Sequence, residues 1–174
     1  PQPAAVRAKP YLNMPPTADG RLPRTLSRVG AFADLPSLTP APGLVAYDVN
    51  VSFWSDGAEK ARWMALPAGG NIAFSTDGAW EFPPGTVFIK QFDQPTPAGI
   101  RRLETRVLVC DSAGGVYGAA YKWRDDGADA DLLETSLVVP VDSAVTPSHY
   151  IPSPRDCRTC HTPIAGGVLG AQTR

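Results

Sequence analysis

Three stretches decide the fold: "GTVFIKQF" (Gly85 to Phe92), "RRLETRVLVC" (Arg101 to Cys110) and "GVYGAAYKW" (Gly115 to Trp123). Each is a short run rich in β-branched and aromatic residues, which suit a pleated, half-buried surface. Turn-forming residues separate them: "QPTPAG" (94–99), "DSAGG" (111–115) and "RDDGADA" (124–130). Runs of this kind punctuated by Gly, Pro and Asp read as neighbouring antiparallel strands. "LLETSLVVPV" (132–141) is a further strand candidate, and "NIAFSTDGAWEFP" (71–83) reads as a hairpin turning at Asp77-Gly78. Asp-Gly supplies the positive φ that a tight hairpin needs. Strands at this spacing predict a mainly β fold, with an antiparallel sandwich or jelly-roll-like body.

Composition limits the rest. The chain has 174 residues, 43% of them hydrophobic, enough for one domain with a sizeable core. Nineteen prolines and sixteen glycines, counted as Pro 19 and Gly 16, interrupt it too often for long helices. Only "SDGAEKARWMAL" (55–66) invites one, with Ser55 as a cap and Ala, Glu, Lys and Arg as helix formers; a loop carrying Trp54 is the other reading. Charged residues make up 19% and the net charge is -1, which excludes a general nucleic-acid binder needing a basic excess. No run approaches the roughly 18 apolar residues of a membrane helix, so no membrane span is expected. The opening "PQPAAVRAKP" lacks the charged-then-apolar pattern of a signal peptide and reads as a mature N-terminus or linker. The expected organisation is an extended Pro-rich segment over 1–25, a β-rich body over 26–145 and an attachment segment over 146–174.

That last segment holds "SPRDCRTCHTP" (153–163), in which Cys157, Cys160 and His161 form C-x-x-C-H. Haem c is joined to a chain through two thiols spaced by two residues on one helical turn, and the adjacent imidazole takes the iron. All three parts occur here in that order. Other readings of the pair stand beside it. A redox dithiol belongs in a βαβ context, which is not visible. A structural zinc wants four ligands, and no second pair follows. A local disulfide is the third. Cys110 ends an apolar run and reads as a buried free thiol, with an intermolecular disulfide as the alternative. Covalent haem attachment takes place outside the bacterial cytoplasmic membrane, so the motif predicts a periplasmic or extracellular protein.

Candidates for the sixth iron ligand are few. His149 is the only histidine outside the motif, twelve residues before His161 on a Pro-stiffened segment, and is the first candidate distal ligand. Met14, in "YLNMPPT", sits on an exposed-looking Pro-rich loop and is the alternative; Met64, in "RWMAL", reads as core. An open or water-bound site is a further option. The charges Asp56, Glu59, Lys60 and Arg62 beside Trp54 and Trp63 read as a solvated face with its aromatics inward, or as a binding or electron-exit patch. Glu104 and Arg106 read as the polar face of a strand. "RDDGADAD" reads as a turn; it lacks the closing Glu of a calcium loop.

The stretches "YDVNVSFWSDGAEKARWMALP", "FPPGTVFIKQF", "RRLETRVLV", "VYGAAYKWR" and "DCRTCHTPIAGGVLG" resemble a family of bacterial c-type cytochromes in which a β-rich region precedes the haem motif. The resemblance runs from about Leu26 to the C-terminus. The C-x-x-C-H alone is not family-specific; its combination with "FWSDGAEKARW" and with the "ETR", "VYG" and "YKWR" stretches is. Some members are joined to, or encoded near, quinoprotein sugar dehydrogenase-like domains. The motif predicts one covalent haem c, the resemblance implies a redox partner such as a quinoprotein dehydrogenase or another cytochrome, and self-association is a further option that the resemblance does not decide. Relatives commonly continue into a helical segment with a second C-x-x-C-H. This sequence stops at "LGAQTR", so it is either a single-haem member or lacks its C-terminal part here, and one haem is expected for the chain as given. The resulting expectation is a mono-haem electron-transfer protein. A peroxidase-type haem enzyme with an open sixth site, or a haem-bearing assembly subunit, is the alternative.

Overall fold

A computed structural model describes residues 6–143 and 145–173. Positions 1–5 of the Pro-rich lead lie outside the described residues. In chain order, a 3-10 turn at Leu26–Val29 precedes β1 (Phe32–Asp34), β2 (Thr39–Pro40), β3 (Leu44–Ala46), β4 (Glu59–Ala65), β5 (Gly78–Ala79) and β6 (Val87–Thr96). Then come β7 (Gly99–Cys110), β8 (Val116–Trp123), β9 (Ala130–Leu132), β10 (Leu137–Pro140), β11 (Ser148–Ile151), α1 (Pro154–Cys160) and β12 (Gln172–Thr173). The fold is mainly β, as expected. Its centre is a six-stranded antiparallel sheet in the order β3-β4-β6-β7-β8-β9.

Register assigns each side chain to a face, because successive residues of a strand alternate. Ile89 stands opposite Trp63 and Val107, and Val107 opposite Ala119. This face is apolar and closed: Trp63, Val87, Ile89, Val107, Val109, Ala119, Tyr121 and Trp123 share one core cluster with Ala8, Leu12, Met14, Leu26 and Val29. The described part of the N-terminal segment is thus a lid on the sheet rather than a free extended arm. Buried Gln91 fits this core because Trp123 Nε1 donates to its Oε1 at 3.0 Å and Thr105 Oγ1 donates to the same atom. A buried polar group is tolerated only when so bonded.

The opposite face carries Arg62, Lys90, Phe92, Glu104, Arg106, Gly118 and Ala120, and it is covered piecemeal. The two-stranded β10–β11 hairpin packs Val139 and Ile151 on Phe92 and Ala120. α1 packs on β8, and a third cluster joins Phe88, Cys110 and Val168. Two layers of unequal size make the sandwich-like body.

Several local expectations change. The segment expected as a helix over 55–66 is strand β4 over Glu59–Ala65, paired with β6 along its length. Helix propensities differ by fractions of a kcal/mol per residue, about 0 to 0.7 for ordinary residues, and a ladder with a buried neighbour outweighs them. The run 132–141 divides between the end of β9 and β10. The hairpin at 71–83 closes by one bridge, Ala73 to Glu81, with Gly78 at φ 98. The body also reaches past 145, since β11 pairs with β10 and β12 pairs with β5. Trp63 is inward, but Trp54 is 70% exposed. Arg62 is buried and donates to Asp48 Oδ1 at 2.7 Å and Ser52 Oγ at 2.8 Å, so the expected solvated face is partly an interior one.

Candidate functional site

α1 starts on a capping box that the sequence reading did not pick out. Ser153 Oγ accepts from the Asp156 backbone N–H, the Asp156 carboxylate accepts from the Ser153 N–H, and Pro154 follows the cap. This capping box with proline just inside the first turn satisfies N–H groups that a helix start leaves bare. Ser153, then Tyr150 donating to Asp156 Oδ2 at 2.8 Å, hold the Asp156 carboxyl below its ordinary range. The helix therefore begins firmly, one turn before Cys157.

Cys157, Cys160 and His161 end this helix, and all three cysteines of the chain are free thiols. Cys157 is half-buried against the sheet. A Cβ placed on Gly118 of β8 would lie 2.8 Å from Cys157 Sγ and 2.9 Å from its Cβ, so only glycine lets α1 sit this close. Burial raises the Cys157 thiol above its ordinary value, with Arg106 opposing. Cys160 is exposed.

His161 is half-buried and its Nδ1 lies 2.6 Å from the Gly167 carbonyl. Gly166 and Gly167 have φ of 75 and 71, and this left-handed pair turns the loop back so that the carbonyl meets the ring. Nδ1 then carries the proton, and Nε2 keeps its lone pair. Burial lowers His161 below the ordinary imidazole value; the Gly167 bond opposes this and Lys90 and Arg106 add to it. A neutral imidazole whose second nitrogen is anchored on a backbone carbonyl is the usual form of a metal-ligating histidine.

His161 lines a cavity of about 640 Å³ with Trp80, Phe82, Cys110, Val116, Arg158 and the 162–168 loop. That volume falls within the roughly 300–1,000 Å³ of cofactor and ligand sites. β12 closes one side of it: Trp80 Nε1 donates to Thr173 Oγ1 at 2.9 Å, and the Trp80 N–H donates to the Ala171 carbonyl at 3.1 Å. Cys110 is buried here, as expected, and burial followed by the Asp111 charge pushes its thiol up to about 12.

Neither candidate distal ligand lines this cavity. His149 is fully buried under the β10–β11 hairpin, with Nε2 2.7 Å from Glu104 Oε1 and Nδ1 3.4 Å from Asp56 Oδ2. Met14 is buried in the core of the other sheet face, where Tyr121 Oη lies 3.9 Å from its Sδ. The exposed-looking loop of Met14 is thus an interior one. Glu104, expected on a solvated strand face, is fully buried and takes two bonds from Arg106, at 2.9 Å from Nε and 2.6 Å from Nη2. Asp56, His149, Glu104 and Arg106 form one network between the sheet and the hairpin that leads into α1.

The donor set fits haem c in its chemistry: two free thiols two residues apart, then a neutral imidazole with one nitrogen left free. The cavity is entered by His161 and by neither thiol. Among the described residues no group of three or more His, Cys, Asp or Glu side chains is placed to hold a metal ion, whereas a structural zinc takes four ligands. Sequence reasoning did not find Gly118, Gly167, Trp80 or Phe82. An isolated Gly in a strand and a Gly-Gly pair six residues after the histidine were the signals available.

No family model matches the chain, and neither does any curated protein or solved structure. Among the described residues no helix is long and apolar enough to cross a membrane.

Proposed function

We propose that this chain is a c-type cytochrome, a mono-haem protein that carries electrons to or from a redox partner in the periplasm or outside the cell. One observation carries the reading: at the end of a C-x-x-C-H helix, His161 is anchored through Nδ1 on Gly167 and lines a cavity walled by Trp80, Phe82, Val116 and Val168 together with Glu81, Asp111 and Arg158. Bound haem c supplies a one-electron iron couple. On this reading Cys157 and Cys160 hold the ring by thioethers, and His161 Nε2 is the protein's donor to the iron. Cys157, which rests on Gly118, and exposed Cys160 would be the two sulfurs available to hold such a ring.

The chain's own residues do the rest. The Gly167 carbonyl holds the His161 proton at Nδ1 and so fixes tautomer and ring orientation. Trp80, Phe82, Val116 and Val168 place apolar surface on the imidazole's side of the site. A drier site has a lower dielectric, which tunes the potential of any centre held there. Partners for such exchange, a quinoprotein dehydrogenase or a second cytochrome, dock through small, weak interfaces.

A peroxidase-type enzyme is the second reading, and the observation favouring it is that His149 and Met14 are both committed elsewhere, so that of the three side-chain candidates only Met64, packed on the Phe88–Cys110–Val168 cluster, stays on the His161 side. The test mixes dithionite-reduced holoprotein with an oxidised soluble cytochrome c, then with hydrogen peroxide and a reducing dye. Electron transfer predicts rapid one-electron oxidation by the cytochrome and no peroxide turnover. Sustained peroxide turnover would replace the reading with the enzymatic one.

A further inference from the structure

Three basic residues stand side by side across the sheet, on the face that carries α1. Arg62 is directly opposite Lys90, and Lys90 directly opposite Arg106. Like charges at directly opposed positions repel. Two of the three are compensated. Asp48 takes Arg62 at 2.7 Å, and Glu104 takes Arg106 at 2.6 Å. Lys90 is half-buried and has no hydrogen-bond or ion-pair partner among the described residues; its ammonium rests over the Phe92 ring, 5.1 Å from the centroid. Lys60 sits over the same ring at 5.9 Å and adds a fourth cation. The acids of this face are Asp48, Asp56 and Glu104, all placed on the other basic groups or on His149.

The row also adjoins the attachment helix. Ala120 is opposite Arg106 on β8, and Gly118, on which Cys157 rests, is the next residue of that face. Lys90 and Arg106 are close enough to His161 that both disfavour its protonation. Burial, then Arg62, Arg106 and Lys60, push the Lys90 ammonium down to about 8, with the Glu104 charge opposing. An anion reaching Lys90 would compensate the third cation of the row.

We propose that Lys90, flanked by Arg62 and Arg106, is an anion subsite that takes a carboxylate of the group held at His161. This rests on the haem reading, in which the carboxylate is a propionate of the ring; pairing with Lys90 then fixes how the ring is turned about its attachment helix.

The experiment compares the full chain matured with and without haem. Acetylation by acetic anhydride near pH 8 is followed peptide by peptide, with exposed Lys9 as the internal reference. A carboxylate on Lys90 raises its pKa; from a start of about 8 the reactive amine fraction at pH 8 falls about fivefold for the first unit and about tenfold for each unit after it. The expected result is Lys90 slowed about tenfold or more in the holoprotein relative to Lys9; equal rates in the two forms overturn the proposal. Simple covering of Lys90 is separated by the midpoint potential against pH. Lys90→Gln strips the propionate of its counter-charge, so the potential falls with pH in a range where the wild type and Lys90→Arg are flat. Identical profiles in all three also overturn it. Should no haem attach, the haem reading fails by itself, and the apo chain with inorganic phosphate decides the subsite: slowed acetylation of Lys90 upholds an anion site, and an unchanged rate ends it.

Discussion

Replacing Glu104 by leucine removes the centre of a buried network, and the structure sets both the size and the pattern of the effect. Glu104 and His149 have no exposed side-chain surface, while the Arg106 side chain is 30% exposed. Without the carboxylate Arg106 swings to water, so its loss is discounted to about 1 kcal/mol, in the range of partly exposed pairs. His149 cannot leave. Its Nδ1 already lacks a hydrogen bond, and an orphaned Nε2 in a dry site costs about 1–3 kcal/mol. The single substitution should therefore cost about 2–4 kcal/mol, or roughly 4–16 °C in Tm at about 2–4 °C per kcal/mol for a chain of this size. His149→Leu removes the imidazole and its bond to Glu104 but leaves the carboxylate its Arg106 bonds, so it costs less. The double variant places two leucines face to face beneath Val139 and Ile151 and leaves no buried group unpaired. Replacing both partners by apolar groups is often close to neutral. Urea unfolding followed by tryptophan fluorescence should show the double variant more stable than Glu104→Leu alone, with a coupling of about 1–3 kcal/mol. Additive effects, or a cost below about 0.5 kcal/mol for Glu104→Leu, would refute this account of how the β10–β11 hairpin, and α1 behind it, is held to the sheet.

Further outcomes follow from the same geometry. Gly118→Ala relieves about 0.5–1 kcal/mol of backbone entropy in a strand but overpacks Cys157 at about 1–3 kcal/mol, so the chain without haem should be destabilised and Cys157 should react faster with a thiol reagent; a stabilised variant contradicts the contact. Burial keeps the Cys110 proton up to about 12, above the ordinary thiol value of 9.0. The unfolded chain therefore ionises first as pH rises, it holds fewer protons there, and stability falls with pH. Relative to Cys110→Ala, the wild type should lose about 1.4 kcal/mol per pH unit between about pH 9 and 12; parallel curves contradict it. In the haem-loaded protein, His149→Leu and Met14→Leu should leave the spin state of the visible spectrum as in the wild type, since both side chains are packed away from His161; a shift in either would return that residue to the iron.

The three central strands were legible because period-2 alternation and turn residues are local signals. β4 carried the same alternation, with Ala61, Trp63 and Ala65 between Lys60, Arg62 and Met64, yet its Ala, Glu, Lys and Arg content pointed to a helix. Pairing with β6, which local propensity cannot report, decided it. Glu104 and Arg106 read as a wet face because the hairpin that covers them lies far along the chain; His149 meets Glu104 across 45 residues. Of the site, the C-x-x-C-H was visible as a side-chain pattern; the Ser153–Asp156 capping box that starts α1, a pattern of the same kind, was missed. The Gly167 carbonyl is backbone and the Gly118 contact is the lack of a side chain, so neither leaves a chemical group to read. The uncompensated Lys90 in its basic row needed the register of three strands.

The central claim is that Cys157 and Cys160 carry a haem whose iron is taken by His161. Denaturing mass spectrometry of the protein matured in a host competent for haem c attachment tests it most directly. The account predicts a single species equal to the chain plus one haem, with the adduct on the peptide containing Cys157 and Cys160 and neither thiol open to alkylation. An unmodified mass with both thiols free would contradict it.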